Sequence, residues 1–363
     1  MKKIIPILIV IAIFIIIAIV CVKLNQNSSN KEENKTIRYT TITTTEGIIT
    51  TPSLEDEIQT NTIWCGTFQL IWNDLKNDIA KQDIVFNPQS KIVENLNKET
   101  FSVKDISDKY YYKKIGTPTI ALKQEIEKAI QDKFNEKSDI LDNFDWNGKT
   151  KEDYFLYAML KKEFQCEKVF DEFENGKFGQ YDNVKYFGIK TAENEEVRNQ
   201  VTVLYYDSAN NFAIKLKTKQ EDEVILCKNP EGKTFNEIYK NIEEKEKNFK
   251  GNKGIAEKEV VKIPNIKLNE KAEFSELENK PFLFSNGNSY LIEKAMQTIQ
   301  FELDKTGGKI KSEAGMMVSK TSLERPEEKR TFVLDDTFAI FLKEDGKDNP
   351  YFAGKISDIA KFQ

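Results

Sequence analysis

The side chains that could act as nucleophiles in this sequence lack the base that would activate them. Cysteines stand only at Cys21, Cys65, Cys166 and Cys227, and no two of them have CxxC spacing. The sequence contains no histidine, which excludes Ser–His–Asp catalysis, Cys–His catalysis and histidine-bound metal sites. Carboxylate pairs or a Ser/Lys dyad would not need histidine, but no spacing in the sequence marks one. We therefore predict that the protein is not an enzyme and uses no cofactor or metal.

The three cysteines outside the apolar N-terminal run could be buried free thiols, or two of them could form a disulfide and leave one spare. Their odd number and irregular spacing favour buried free thiols.

A long polar segment near the C-terminus follows a predicted strand. Alternating apolar and polar residues over 299–304 predict a half-buried strand that ends at Gly307-Gly308. The polar segment from Lys309 to Arg330 exceeds the roughly 12 to 15 residues of most ordered loops. The apolar runs Phe332 to Leu342 and Tyr351 to Ile356 then predict a closing hairpin.

The first part of this loop has its own period of two. Small or apolar residues occupy the even positions, namely Gly308, Ile310, Ser312, Ala314 and Met316. Charged residues or glycine occupy the odd positions from 309 to 315. Such a pattern suits a segment that can join a sheet with one face buried, although an exposed edge strand with one packed face has the same pattern.

Other elements follow from periodicity and capping. Apolar residues after Trp64 recur at spacings of three and four and predict a helix. Gly116-Thr117-Pro118 opens a second helix. The runs VTVLYY, FAIKL and EVILC predict an antiparallel meander, and Thr234 with Glu237 forms a capping box that opens a third helix.

In several places the sequence resembles the serpin family. FELDKTGG is similar to the serpin strand that leads into the reactive-loop hinge, and FVLDDTFAIFL and NPYFAGKI resemble the strands that follow that loop. DIVFNPQS resembles the short strand after the first serpin helix, and VVKIPNIKL resembles the strand that borders the gap for the loop. The resemblance covers most of residues 64–363 and is firmest from Val260 onward.

The resemblance implies an α+β fold over residues 61–363. Its centre would be mostly antiparallel sheets with N-terminal and flanking helices, followed by an exposed C-terminal loop. Serpins normally use more residues than this chain has between Ser90 and Tyr154. The chain therefore resembles a divergent, shortened, membrane-anchored member of bacterial type.

The resemblance also implies a function for the loop at 307–331. In inhibitory serpins a protease cuts this loop, whose first part then inserts into the main sheet. The hinge residues here would be Gly307, Gly308, Ile310, Ser312 and Ala314. Counting back from the terminal strand puts the scissile bond at Lys320-Thr321, while counting forward from Gly307 puts it at Thr321-Ser322. A lysine before the bond would suit a trypsin-like serine protease.

A non-inhibitory binding or structural ectodomain on the same scaffold is the alternative function. At the hinge positions of inhibitory serpins this chain has Lys305, Thr306, Gly308, Lys309 and Ile310 in place of the usual residues, and larger side chains would slow insertion. The shortened region before Tyr154 favours the same alternative, because a fold does not fix its function.

The N-terminus predicts an attachment to a membrane. Lys2 and Lys3 precede an uncharged run from Ile4 to Val22, roughly the length that spans a bilayer as a helix. Its bulky end favours an uncleaved transmembrane anchor at 1–22 over a cleaved signal peptide, and Val20 before Cys21 disfavours a lipoprotein. The polar, Thr- and Asn-rich residues 23–60 predict a flexible stalk. We expect a single-pass protein of the cell membrane with its C-terminal domain outside.

The net charge of the chain indicates which other classes of partner to expect. A net charge of −5 without a basic stripe disfavours nucleic acid. A monomer is expected, with the membrane and a serine protease as its partners.

Overall fold

The computed structural model describes residues 46–190, 195–309 and 330–363. The helices are α1 (Thr67–Asp74), α2 (Lys91–Leu96), α3 (Ile120–Phe134), α4 (Glu195–Asn199) and α5 (Phe235–Asn248). A π-helical segment (Leu75–Ala80) continues α1, and short 3-10 helices lie at Asp108–Tyr110, Leu141–Asn143, Ser275–Leu277 and Ile359–Phe362. The strands, in chain order, are β1 (Ile49–Thr50), β2 (Thr62–Cys65), β3 (Tyr111–Gly116), β4 (Phe155–Leu160), β5 (Glu163–Gln165), β6 (Asp171–Glu172), β7 (Gly176–Phe178), β8 (Tyr181–Val184), β9 (Tyr186–Ile189), β10 (Val201–Ser208), β11 (Asn211–Lys217), β12 (Asp222–Lys228), β13 (Val260–Pro264), β14 (Ile266–Glu273), β15 (Pro281–Leu283), β16 (Ser289–Leu291), β17 (Met296–Asp304), β18 (Gly307–Lys309), β19 (Thr331–Val333), β20 (Phe338–Glu344) and β21 (Phe352–Ile356).

The largest sheet, called here the large sheet, has seven strands in the order β1-β2-β21-β20-β12-β11-β10. β10, β11 and β12 form the predicted antiparallel meander, with Ile214 opposite both Val203 and Leu226. β20 and β21 form the predicted terminal hairpin and lie between β12 and β2. β-branched and aromatic residues dominate these strands because they pack well on a pleated, buried surface.

Helix α5 packs on the large sheet. It begins at the predicted capping box, where the Glu237 backbone N–H donates to Thr234 Oγ1 at 3.1 Å. The rings of Phe235 and Tyr239 contact Phe341 of β20, with centroids 6.1 and 5.5 Å apart. The helix therefore buries its apolar stripe against the centre of the sheet.

A small sheet has the order β19-β13-β9-β6, with β19 parallel to β13. This assignment corrects one prediction, since the apolar run Phe332 to Leu342 is two strands in two different sheets. The chain turns between them at Asp335, whose carbonyl accepts from Gly179 N and whose side chain pairs with Lys228 at 2.6 Å. Two adjacent acids at 335–336 mark that turn in the sequence.

The third sheet, called here the split sheet, comes in two parts. One part is β3 paired with β4, and the other has the order β14-β17-β18-β5. β4 and β5 are consecutive in the chain, with only Lys161 and Lys162 between them, so they act as one long strand that changes partner. Two helices cover its faces.

Helices α3 and α1 pack against opposite faces of β4. Phe155 and Tyr157 pack in one cluster with Ile126 of α3, whereas Leu156 packs against the cluster that contains Trp72 of α1. Neighbouring side chains of a strand point to opposite faces, so each helix covers one face.

The folded part of the chain begins before the predicted boundary at residue 61. Ile48 and Leu54 are buried, β1 joins the large sheet, and Trp64 Nε1 donates to the Pro52 carbonyl at 3.2 Å. Residues 46–60 are therefore packed, although the sequence predicts them as the end of a flexible stalk. The rest of that stalk lies outside the described residues.

Among the described helices, none combines the length and the apolar content needed to cross a bilayer. The predicted anchor at 1–22 lies outside the described residues.

Candidate functional site

The predicted hinge glycines form a short strand inside the split sheet. β18 pairs with β17 on one side, where Gly308 lies opposite Leu303, and with β5 on the other, where Gly308 lies opposite Phe164. Both pairings are antiparallel. The start of the loop is thus already hydrogen-bonded between two strands of the sheet.

Positions 307 and 308 both require glycine. Gly307 has a φ of +143°, and a Cβ there would lie 2.3 Å from the Phe164 carbonyl oxygen. A Cβ on Gly308 would lie 2.3 Å from the Phe164 ring and 2.8 Å from the Glu302 carbonyl oxygen. Only a residue without a side chain allows the three backbones to approach this closely.

The turn before the hinge is fastened to the chain that follows β5. Asp304 Oδ1 accepts from the backbone and the hydroxyl of Thr306, at 2.7 and 2.6 Å. The Thr306 carbonyl accepts from Cys166 N at 3.0 Å, and Lys305 pairs with Glu172 at 2.6 Å. Lys305 and Thr306, which depart from the family pattern, therefore have structural partners here.

A cleft continues from the hinge along the split sheet. Among the residues that the structure describes, β4 is paired only with β3, and β17 from Met296 to Phe301 is paired only with β14. The cleft between them has a volume of about 720 Å³. Apolar side chains of α1 and its π-helical continuation line it, namely Phe68, Ile71, Trp72 and Leu75.

One buried amide in the cleft keeps a free acceptor. Gln297 of β17 is 4% exposed and donates through Nε2 to the Cys65 carbonyl at 2.9 Å and to Thr67 Oγ1 at 2.5 Å. Its Oε1 has no hydrogen-bond partner. A buried acceptor without a partner costs free energy, so a donor that entered the cleft beside Gln297 would be favoured.

Arg330, at the end of the predicted loop, forms a buried ion pair with Glu259. Arg330 donates from Nε and Nη2 to the two carboxylate oxygens of Glu259, at 2.7 and 3.0 Å. It also donates to the carbonyls of Asn252 and Gly254, at 2.7 and 2.8 Å. Glu259 is 2% exposed, and such a bidentate, desolvated pair fixes geometry as well as charge. The Arg330 guanidinium also lies 5.1 Å from the centre of the Phe332 ring. These contacts fix the position of the chain where β19 begins.

The structure brings together only part of the predicted site. Gly307 and Gly308 lie between β5 and β17 as described. Ile310, Ser312, Ala314, Lys320 and Thr321 lie outside the described residues. The sequence did not reveal Glu259 or Gln297, because their partners come from segments 71 and 232 residues away.

The cysteines are confirmed as buried free thiols in the described part of the chain. Cys65, Cys166 and Cys227 are all buried and unpaired. Burial raises the pKa of Cys65 and of Cys227 to about 11, and burial with the nearby Asp304 carboxylate raises that of Cys166 to about 12. Thiols that hold their protons at neutral pH are poor nucleophiles.

No family model and no curated protein matches the chain. Solved structures do match it. Tengpin, a thermophilic serpin in the native state, is 12% identical with a TM-score of 0.46, over 84% of this chain and 90% of that one. Serpin48 of the insect Tenebrio molitor is 11% identical with a TM-score of 0.42, over 85% and 95%. Thyroxine-binding globulin in complex with thyroxine is 12% identical with a TM-score of 0.44, over 82% and 93%.

The chain is similar to serpins in fold. Identities of 11–13% and TM-scores below 0.5 carry no conclusion about activity.

Proposed function

We propose that this protein is a membrane-anchored, outward-facing, serpin-like inhibitor whose loop at 307–331 traps a trypsin-like serine protease. After cleavage, the residues that follow Gly308 would move into the cleft of the split sheet as a new central strand. One observation carries the proposal: β18 is already inserted between β5 and β17 at the end of that cleft. Insertion would therefore extend an existing strand rather than start one.

The side-chain pattern of the loop fits the two faces of the cleft. β17 buries alternate side chains, including Phe301, Ile299 and Gln297. Gly308 lies opposite Leu303, which belongs to the same buried face. Continuing this register would pair Ile310 with Phe301, Ser312 with Ile299 and Ala314 with Gln297.

The small and apolar residues of the loop would then lie on the buried face. Its charged residues Lys309, Lys311 and Glu313 would lie on the opposite face, in line with Glu302 and Gln300, which are partly or fully exposed. A shift by one residue would reverse this arrangement and bury the charges. The existing pairing of β18 therefore selects the favourable register.

Insertion would release free energy in two ways. The free edges of β4 and β17 would gain backbone hydrogen bonds, each worth about 0.5 to 1.5 kcal/mol net. Apolar surface that still lines the cleft, to which α1 contributes the partly buried Ile71, would be covered, at about 25 cal/mol for each Å² removed from water. A cleaved loop would thus make the protein more stable than the intact form, which is what a trap driven by strand addition needs.

Lys320 is the proposed bait, with the bond to Thr321 as the one cut. A trypsin-like protease binds a lysine at this position through an acidic pocket. Replacing Lys320 with Glu should abolish cleavage at this bond, as read by mass spectrometry of the fragments. Lys329→Glu, which changes another lysine of the same loop, is the matched control and should leave the cut in place. Cleavage that moved to Thr321-Ser322 would favour the alternative bond.

The proposed location can be tested separately from inhibition. If residues 1–22 span the membrane, the full-length chain should stay with the membrane in alkaline carbonate. External protease added to intact cells should remove the C-terminal domain. Release into the carbonate supernatant would contradict the anchor.

A non-inhibitory binding ectodomain is the second candidate. It is favoured by the short connection between β3 and β4, which holds only α3 and one 3-10 helix. The cleft, about 720 Å³ in volume, falls within the usual size of a small-molecule site. Loop cleavage without any gain in stability would support this candidate over the first.

A further inference from the structure

A buried charge cluster joins the split sheet to the large sheet. Lys162, between β4 and β5, places Nζ 2.6 Å from Asp222 Oδ1 of β12 and 2.6 Å from Glu344 Oε1 of β20. The three side chains are 1%, 0% and 7% exposed. Two carboxylates thus share one ammonium group, and the cluster holds one excess negative charge when all three are ionised.

The two carboxylates are not equally well supplied with donors. Glu344 Oε2 accepts from the backbone and the hydroxyl of Ser107, at 3.0 and 2.7 Å. Asp222 Oδ1 accepts from the Tyr351 hydroxyl at 3.2 Å, but Asp222 Oδ2 has no hydrogen-bond partner. The excess charge is therefore least well compensated at Asp222, where a proton would bind first.

Two aromatic rings lie beside Lys162, whose Nζ is 4.1 Å from the centre of the Tyr110 ring and 5.0 Å from that of Tyr351. A second cation, Lys109, lies on the Tyr110 ring with its Nζ 4.7 Å from the centre, and it interacts with the Glu344 carboxylate. Tyr351 is fully buried, and burial holds its pKa well above the usual value. Both rings support the ammonium group by cation–π contact.

The titration of the cluster follows from this geometry. Burial raises the pKa of Asp222 to about 6, against the attraction of Lys162. Burial acts on Glu344 too, but Lys162 and the Ser107 donors outweigh it and hold the Glu344 pKa below the usual value. The sequence has no histidine, so a response between pH 5 and 7 requires a perturbed carboxyl of this kind.

We propose that the Lys162–Asp222–Glu344 cluster is a proton-sensitive joint between the two sheets, which tightens when Asp222 takes up a proton. Protonation removes the excess buried charge and leaves Lys162 paired with Glu344. Lys162 lies where the long strand changes its partner from β3 to β18. Mild acid therefore strengthens the contact between the large sheet and this part of the split sheet, whether or not the loop ever inserts.

The sign of the effect is fixed by linkage. The pKa of Asp222 is higher in the folded protein, about 6, than its ordinary value of 3.8. The stabilisation from its proton is fully present below pH 3.8 and is lost as the pH rises through about 6. From pH 7.5 to pH 5.0, Asp222 alone should lower the unfolding equilibrium constant about tenfold.

Asp56 titrates in the same range and provides the control. Its pKa is also raised to about 6 by burial, but it lies in a turn where Ser53 and Asn95 donate to it. The unfolding equilibrium constant of the full-length chain would be measured with urea, in detergent, at the two pH values. The factor by which this constant falls from pH 7.5 to pH 5.0 should be about tenfold smaller in Asp222→Asn than in wild type. Asp56→Asn should remove only its own share, and the two effects should add.

A second measurement reports on the joint itself. The amides of Lys161 and Cys166 flank Lys162 and donate to the carbonyls of Tyr110 and Thr306. The intrinsic rate of amide hydrogen exchange falls between pH 7.5 and pH 5.0. In wild type, exchange of the peptide containing residues 155–166 should slow by more than this intrinsic decrease. In Asp222→Asn this additional protection should be absent.

A third variant keeps the proposal testable if Asp222→Asn fails to fold. Glu344→Gln leaves one carboxylate for one ammonium group, so the titration of Asp222 should move to lower pH and its share of the acid stabilisation should shrink, while the share of Asp56 stays. Asp222→Asn or Glu344→Gln with the full wild-type pH response in unfolding and in exchange would overturn the proposal.

Discussion

Gly308 lies opposite Phe164 in the split sheet, so closely that a single added carbon on Gly308 would lie 2.3 Å from the Phe164 ring. This contact holds the start of the loop in the sheet while the cleft beyond it stays open. The position of Gly308 is therefore set by its packing against an aromatic ring and not by the flexibility of a glycine alone. Changing either side should alter how the loop is held.

Replacing Gly308 with Ala should loosen the hinge. The new methyl group would meet the Phe164 ring and the Glu302 carbonyl, and overpacking of this kind costs about 1 to 3 kcal/mol. Gly254→Ala is the matched control, because its nearest neighbour would be 3.5 Å away. Urea unfolding should show the loss only for Gly308→Ala. An equal effect in both variants would argue against a tightly packed hinge.

Removing the Arg330 side chain should destabilise the other end of the loop. Arg330→Ala would leave Glu259 buried without its charged partner, which typically costs about 3 kcal/mol or more. Lys253→Ala breaks an exposed pair with Glu246 at 3.5 Å and should cost less than about 1 kcal/mol. Thermal unfolding of the two variants gives the comparison, and a difference below about 1 kcal/mol would show that Arg330 is not an anchor.

Filling the cleft should block the proposed insertion without harming the intact protein. Ala158 of β4 lines the cleft, so Ala158→Trp would place an indole in open space. The intact variant should melt close to wild type, whereas the loop-cleaved variant should lose the gain in stability expected of cleaved wild type. Ala121→Trp, on the exposed side of α3, is the control. A cleaved Ala158→Trp protein as stable as cleaved wild type would mean that the cleft is not the site of insertion.

The local elements of this fold are well predicted by sequence, because their signals are short in range. The strand β17, the meander of β10–β12 and the capping box at Thr234 each rest on neighbours within a few residues. The same holds for the helix that follows Gly116-Thr117-Pro118, which is α3. Gly307 and Gly308, predicted as the point where β17 gives way to a loop, instead form the strand β18 between β17 and β5.

What the sequence could not predict depends on distant partners. The run after Phe332 divides between two sheets because β19 pairs with β13 and β20 pairs with β12. Residues 46–60 look like a polar stalk, yet they pack because β2 offers them an edge. The Lys162 cluster combines residues 60 and 182 positions apart in the chain, and no local pattern marks such a site.

The most direct test of the account is to cut the loop and ask whether the protein becomes a trap. The full-length chain in detergent would be incubated with trypsin at limiting ratios, followed by a denaturing gel and by melting before and after cleavage near Lys320. We expect a covalent complex near the summed masses and a large rise in melting temperature of the cleaved protein. Clean cleavage with neither complex nor added stability would contradict the proposal and would direct attention to binding in the cleft.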